Sequence, residues 1–157
     1  MSDLRPTPLS DLAHATGTRP ERARQAARLV RLLGGYRWVG LYDVSATEIS
    51  VIAWDGPEAP AHPRFAITRG LNGAAVATRA PVIVQDVTSD PRYLETIAGT
   101  RGEMIHLVLA PSGAVVGTLD VESDRVDAFS SRDEELLAAC ARQLGWLWDD
   151  RQVNQAG

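Results

Sequence analysis

Residues 113–133 read G-A-V-V-G-T-L-D-V-E-S-D-R-V-D-A-F-S-S-R-D, and this stretch decides how the rest of the chain folds. It predicts an opening turn, a strand that carries Asp120 and Glu122, and a long final helix capped by Ser130 or Ser131. Because the two acids are two residues apart in a strand, they share one face of it. A strand this rich in Val and Leu is typical of a buried, central position, where acids are costly unless something pairs with them. The two carboxylates therefore indicate a pocket.

The length of 157 residues fits one domain with its own hydrophobic core. We expect a polar leader over residues 1–19, a single domain over 20–150 and a tail over 151–157. No run of about 18 apolar residues occurs, so no membrane span is expected, and the N-terminus lacks the apolar centre of a signal peptide. One cysteine excludes an intrachain disulfide and favours the cytoplasm.

The net charge and the identity of the basic residues argue against several classes of function. The net charge of −4 argues against nucleic acid as the main partner. All 16 basic residues are arginine, which is typical of a GC-rich bacterial genome. Without lysine the chain has neither a Schiff-base lysine for pyridoxal phosphate nor the lysine of a P-loop. We expect no cofactor.

Hydrophobic periodicity and turn residues predict an α+β fold. The pattern indicates helices at 20–33 and 70–79, a last helix from 131 that still carries Leu147 on its apolar face, and strands at 36–44, 47–54, 64–68, 81–84, 103–109 and 114–123. This order is typical of a mostly antiparallel sheet with helices gathered on one face. Residues 9–25 also resemble the opening of a helix-turn-helix, but the apolar positions at Ala23, Ala26 and Val30 favour a helix that packs on a core.

Five segments, in order across residues 23–148, resemble a GAF domain: W-V-G-L-Y, R-G-L-N-G-A-A-V, D-V-T-S-D-P-R-Y-L, G-A-V-V-G-T-L-D-V-E-S and F-S-S-R-D-E-E-L-L. The resemblance implies a twisted antiparallel sheet of about six strands, with the N- and C-terminal helices on one face and a ligand pocket on the other. Within that family the chain is most similar to the free methionine-(R)-sulfoxide reductases. By resemblance, their pocket aromatics and ligand-contacting acids match Trp38, Tyr42, Glu103, Asp120 and Glu122.

The chain departs from those reductases at their cysteines. Where they have V-C-G before a short helix, this chain has Leu71-Asn72-Gly73, and where they have cysteines in a later loop it has residues 96–100. Sulfoxide reduction of this kind needs one thiolate to attack sulfur and a second thiol to resolve the product. The single thiol, Cys140, falls on the apolar face of the last predicted helix. We therefore expect no catalytic residue.

Acids and aromatic residues together suit a ligand with a cationic group, such as a free amino acid. Glu103 begins the strand that neighbours Asp120 and Glu122. The glycine-rich start of the helix that contains Asn72 offers N–H groups for a ligand carboxylate, and Tyr93 is a candidate lid residue. The alternative is that the acids lie in solvent or are paired by the arginines at positions 69, 101 and 125. A metal site is less favoured, because His106 has the opposite strand parity to Glu103.

We expect a stand-alone sensor or regulatory module that binds a small molecule. Amino acids and related metabolites are the candidate classes of ligand. Two alternatives stay open: a divergent redox relative of the reductases, and a homodimerisation module with a vestigial pocket. A homodimer through the terminal helices is expected because Trp146, Leu147 and Trp148 make the end of the chain unusually apolar.

Overall fold

The computed structural model describes residues 9–149. After a 3₁₀ turn at Asp11–His14, the helices are α1 (Arg19–Gly34), α2 (Gly70–Thr78) and α3 (Ser131–Arg142), and the strands are β1 (Trp38–Val44), β2 (Glu48–Asp55), β3 (Arg64–Ala66), β4 (Val82–Val84), β5 (Gly102–Leu109) and β6 (Val115–Ser123). Residues 1–8 of the expected leader and the expected tail at 151–157 lie outside the described residues.

The six strands form one antiparallel sheet in the order β3-β2-β1-β6-β5-β4. Strands β1 and β2 form one hairpin and β5 and β6 form another. The two hairpins join where β1 pairs with β6 along Trp38–Asp43. The strand at residues 115–123 is therefore central, as its apolar composition predicted, and Pro81 precedes β4 at the edge of the sheet.

Helices α1 and α3 cover one face of the sheet. Ala23, Ala26, Ala27 and Val30 of α1 are fully buried against it, so this helix packs on the core as its period predicted. Thr18 and Ser130 cap the two helices, and each capping box is complete. The opposite face carries α2 and two smaller apolar clusters. The predicted α+β architecture is confirmed.

The last helix is shorter than its periodicity predicted. Helix α3 ends at Arg142, and Gly145–Trp148 form a separate 3₁₀ turn. A glycine at position 145 weakens a continuing helix. Leu144 and Leu147 still reach the core because the turn folds back onto it. Among residues 9–149, no helix is long and apolar enough to cross a membrane.

Candidate functional site

Three carboxylic acids meet on the sheet face that carries α2. Glu103 of β5 lies directly opposite Glu122 of β6, and Asp120 lies two residues before Glu122 on the same face. One oxygen from each side chain lies within 4.8 Å of the other two. The side chains of this acidic triad (Glu103, Asp120 and Glu122) are 2%, 0% and 0% exposed. The structure thus brings together the three acids that the sequence predicted.

Each acid of β6 has one hydrogen-bonded oxygen. Asn72 donates from Nδ2 to Asp120 Oδ2 over 3.0 Å, and its own Oδ1 accepts from the Thr118 hydroxyl over 2.6 Å. The Thr100 hydroxyl donates to Glu122 Oε1 over 2.8 Å. The remaining oxygens, Asp120 Oδ1 and Glu122 Oε2, are buried and have no hydrogen bond of good geometry within residues 9–149, although Glu103 hydrogen-bonds weakly to both acids and Thr96 to Glu122. Buried acceptors without a donor of good geometry are uncommon in native proteins and point to a missing partner.

No arginine among residues 9–149 forms an ion pair with the triad. The ion pairs within residues 9–149 join Arg19, Arg31, Arg64 and Arg92 to other acids, so the alternative in which arginines 69, 101 and 125 pair with the triad is not realised in the structure. Two unit charges about 5 Å apart repel by roughly 3 kcal/mol at an effective dielectric constant of about 20. Three simultaneous charges are therefore strongly disfavoured without a cation or a proton.

The pKa values of all three acids are raised, first by burial and, for Glu103 and Glu122, also by repulsion from neighbouring charges. Burial raises the pKa of Glu103 well above its usual range, and the charges on Asp120 and Glu122 raise it further. Burial and then the charge on Asp120 raise the pKa of Glu122 to about 8, and burial raises the pKa of Asp120 to about 6. Since the pKa of Glu122 lies above neutral pH and that of Glu103 is raised well above its usual range, the triad retains protons near pH 7 and does not ionise fully.

Aromatic side chains form one wall beside the triad. Trp38 and Tyr42 lie on the same face of β1, with ring centroids 6.4 Å apart, and Phe65 contacts the edge of Tyr42. Gly40 separates them, and a Cβ at this position would lie 2.3 Å from the Trp38 ring. The glycine therefore makes room for the indole. The two predicted aromatics do reach the predicted face, and burial raises the pKa of Tyr42 well above its usual range.

A small cavity adjoins the triad. Three of the predicted site residues line it: Tyr42, Asn72 and Glu103. The other lining residues are His62, Phe65, Gly70, Leu71, Leu94, Glu95 and Thr96. Only about 10 Å³ is open to the centre of a water molecule, so the cavity holds about one water in this conformation. An amino-acid-sized ligand requires the lining to open.

A larger groove lies on the other side of the contact between Gly70 and Leu94. It has a volume of about 640 Å³ between α2 and the segment at residues 91–94, within the size range of ligand pockets. A Cβ on Gly70, whose φ is +73°, would lie 3.2 Å from Leu94 Cβ. Leu94 thus lines both spaces and separates the closed cavity from the open groove.

Tyr93 lines the groove and not the cavity. Its hydroxyl is buried with no hydrogen-bond partner of good geometry among the residues from 9 to 149. Burial and then the charges of Glu122 and Glu103 raise its pKa above the usual range. The predicted lid residue therefore approaches the triad from the groove side.

The start of α2 faces the cavity as the glycine-rich segment predicted, since Gly70, Leu71 and Asn72 all contribute to the lining. The first N–H groups of a helix have no intrahelical acceptor and attract anionic groups. Sequence reasoning missed His62 and Leu94 in this lining. A histidine in the Pro-rich loop after β2 carries no local signal of its position; only the folded loop brings it to the cavity.

The thiol and the remaining strand histidine lie away from the cavity. Cys140 is fully buried in the helix-side core, and burial raises its pKa to about 11. His106 lies on the same face of β5 as Met104 and Val108, which pack in that same core. The sheet therefore separates both residues from the triad, as their predicted positions implied.

Comparison with known proteins gives one family. The model of the GAF domain matches residues 18–147. GAF domain-containing protein A of Dictyostelium discoideum is 32% identical over 108 residues, which are 68% of this chain and 66% of that protein. The free methionine-R-sulfoxide reductase of Saccharomyces cerevisiae is 25% identical over 110 residues, which are 68% of this chain and 60% of that protein. The chain thus spans less than two thirds of each relative's length.

Among solved structures, the type II free methionine-R-sulfoxide reductase of Thermoplasma acidophilum superposes with a TM-score of 0.77 at 26% identity. The alignment covers 90% of this chain and 96% of the archaeal one. The relatives therefore include a reductase that shares nearly the whole fold, together with a protein described only by its GAF domain.

Proposed function

The chain belongs to the GAF domain family, and from this premise we propose that it binds a small metabolite with a cationic group, such as an amino acid, as a non-catalytic sensor or regulatory module. The observation that carries the proposal is the buried acidic triad, which has no basic side chain paired to it within residues 9–149. Buried carboxylates without a partner lower stability. A ligand cation compensates that cost.

The surroundings of the triad support a ligand of amino-acid type. Tyr42 offers an aromatic wall beside Glu103, and the start of α2 at Gly70 presents N–H groups across the same cavity. Acids at one end and helix N–H groups at the other complement the ammonium and the carboxylate of a zwitterion. We place this function in the cytoplasm, since a chain with one cysteine does not depend on an oxidising compartment.

A redox role is the second candidate, because two of the relatives are free methionine-R-sulfoxide reductases. The chemistry of this chain weighs against it. Asn72 occupies the position that by resemblance holds cysteine, and its amide is engaged by Asp120 and Thr118. Cys140, the single thiol of the 157 residues, lies in the core behind the sheet. Reduction of a sulfoxide by thiol exchange needs two accessible thiols.

We also propose a homodimer through the terminal helices, but through a surface other than the apolar segment at residues 146–148. Leu147 and Trp148 are buried within the protomer, and the Trp146 indole donates to the Leu9 carbonyl over 3.1 Å. The exposed apolar side chains of the terminal helices are Leu32 and Leu33 at the end of α1. These two leucines are the surface that we propose for a homodimer contact.

The binding proposal is tested by calorimetry and thermal unfolding with L-methionine and L-methionine sulfoxide as probes. A ligand at 100 times its Kd adds about 2.7 kcal/mol of stability, which raises the Tm of a chain of this size by roughly 5–10 °C. We expect such a rise for the wild type and its loss in Asp120→Asn.

The matched control is Glu134→Gln, an equal change of charge at an exposed position of α3 on the other side of the sheet. This variant should respond to the probes like the wild type. If a panel of all common amino acids leaves the wild-type Tm unchanged, the binding proposal is wrong.

A further inference from the structure

The groove between α2 and residues 91–94 is large enough for a ligand of its own. Gly73, Ala74 and Ala77 line it from α2, and Pro91 and Leu94 line it from the opposite segment. These residues present apolar surface, and the volume of about 640 Å³ lies within the range of ligand pockets. An apolar molecule that enters the groove therefore removes this surface from water, which is favourable.

The charged side chains at the groove are basic. Arg69, directly before α2, and Arg92 both line it, and no aspartate or glutamate among residues 9–149 does so. Arg92 already has a partner, because it donates to both carboxylate oxygens of Asp90, over 3.0 and 2.7 Å. Arg69 makes no ion pair with any residue from 9 to 149. The groove thus combines apolar walls with one guanidinium that has no acid paired to it.

The acids of the neighbouring cavity leave this basic character in place. Glu95 and Glu103 line the cavity and not the groove, and Leu94 lies between the two spaces. The triad behind Tyr93 retains protons near pH 7, so it carries less than its full negative charge. The two spaces therefore have opposite chemistry: the cavity is acidic, and the groove is apolar with a basic side chain at its wall.

We propose that the groove is a second binding site, which takes a small organic anion with an apolar body, such as a medium-chain carboxylate. The apolar body packs between α2 and the segment of Pro91 and Leu94, and the carboxylate accepts hydrogen bonds from the Arg69 guanidinium. A guanidinium offers a carboxylate two parallel N–H donors. A neutral or cationic head group on the same body has no such partner. This site goes beyond the proposed function, because it does not use the cavity.

The test is an NMR titration of nitrogen-15-labelled protein with octanoate, octan-1-ol and octylammonium, which share one apolar chain and differ in the head group. The amide signals of Thr68 and Ala77 report on the groove, because both residues line it and neither lines the cavity. We expect octanoate to shift these signals saturably, with a Kd lower than that of the other two probes by about fivefold. Equal affinity for the three probes, or no shift of these signals with octanoate, overturns the proposal.

Replacement of Arg69 tests the charge at the groove wall. Arg69→Gln removes the charge and keeps a polar side chain, so we expect octanoate to bind about fivefold more weakly and octan-1-ol to bind as before. The matched control is Arg132→Gln, the same change at an exposed position of α3 on the other side of the sheet. This variant should bind octanoate like the wild type. Equal weakening in both variants, or none in Arg69→Gln, contradicts recognition by Arg69.

A bulky side chain at position 77 tests the location of the apolar body. Ala77 is exposed on α2 and lines the groove, so Ala77→Trp fills the space without entering the core. We expect this variant to lose octanoate binding. Ala80→Trp, an equal change at an exposed position that does not line the groove, should retain it.

The result for position 77 is read only in a folded protein. If circular dichroism shows that Ala77→Trp does not fold, Ala77→Leu provides the same comparison. Octanoate binding of wild-type strength in a folded Ala77 variant overturns the proposal. The result is also separate from the test with L-methionine: a protein that binds octanoate in the groove but no amino acid keeps this site and loses the proposed function.

Discussion

At the scale of the residue, Glu122 shows how a buried acid links stability to pH. Its side chain is fully buried and its pKa is raised to about 8, because burial and the charge of Asp120 both disfavour the carboxylate. The unfolded chain has an ordinary pKa near 4.3. Between these values the folded state binds more protons than the unfolded state, so the stabilisation present at low pH is lost as pH rises toward about 8.

This linkage predicts that Glu122→Gln stabilises the protein at high pH. The amide keeps the size of the side chain and can accept the Thr100 hydrogen bond, but it carries no charge to bury. At pH 8–9 we expect a gain in the free energy of unfolding on the order of 2 kcal/mol, and at pH 5 no gain. Urea unfolding of both proteins over this range measures the difference. A gain that does not depend on pH would contradict the electrostatic explanation.

Part of this chemistry was predictable residue by residue. The spacing of Asp120 and Glu122 places them on one face by the geometry of a strand alone. The bond from Asn72 to Asp120 was not predictable, because it joins residues 48 positions apart and depends on how α2 lies on the sheet. The sequence therefore identified the acids, and the tertiary structure identified their partners.

At the scale of the element, one cluster attaches the 3₁₀ turn at Gly145–Trp148 to the body of the domain. Arg19 donates to both carboxylate oxygens of Asp43, over 3.0 and 2.9 Å, and to the Leu147 carbonyl. The Trp148 indole donates to Asp43 Oδ1 over 2.8 Å, and the Arg19 guanidinium lies 5.5 Å from the centre of its ring. Asp43 thus links the start of α1, the end of β1 and the chain beyond α3.

We predict that Asp43→Ala lowers the free energy of unfolding by about 2 kcal/mol, because it removes a bidentate ion pair and leaves the Trp148 donor without its acceptor. The matched control is Glu48→Ala, which removes an exposed pair with Arg64 at 3.6 Å and should cost less than about 0.5 kcal/mol. Chemical denaturation followed by circular dichroism measures both. Equal costs would show that the Asp43 cluster has no special role.

The same cluster explains why the end of the chain differs from its pattern. Leu144 and Leu147 keep the apolar spacing of a helix, so the sequence predicts that α3 continues through them. In the structure α3 instead ends at Arg142, a 3₁₀ turn begins at Gly145, and Trp148 of that turn contacts Asp43 and Arg19. The apolar spacing predicts which residues are buried, but it does not predict whether a continued helix or a separate turn carries them.

At the scale of the whole molecule, the sheet divides the domain into two chemically different sides. The helix side is an apolar core that contains Cys140, and the other side holds the triad and the cavity. A thiol on the helix side cannot reach a ligand on the other side without loss of the fold. This separation favours the binding role that we propose over thiol chemistry at the cavity.

We predict that Cys140 is unreactive in the native protein. It is fully buried, and its pKa of about 11 leaves roughly one thiolate in a thousand at pH 8. Ellman's reagent should therefore modify the native thiol at least about 100-fold more slowly than the thiol in guanidinium chloride. Rapid native modification would contradict the position of the residue in the core.

In an activity assay with dithiothreitol as the reductant, we expect no reduction of free methionine sulfoxide. Turnover that is lost in both Cys140→Ser and Cys140→Ala, with each variant folded, would instead support the redox alternative. The alanine variant matters because a buried serine hydroxyl by itself destabilises a core.

The sequence alone determined the α+β class, the mostly antiparallel sheet, the central position of residues 115–123 and the common face of the acids. These follow from periodicities of two and 3.6 residues and from turn residues, all of which act over a few positions. Only the tertiary structure decided that the acids meet without an arginine from residues 9–149, that His62 and Leu94 line the cavity, and that α3 ends at Arg142. Those features depend on contacts between segments distant in sequence, where packing and charge compensation outweigh local preference.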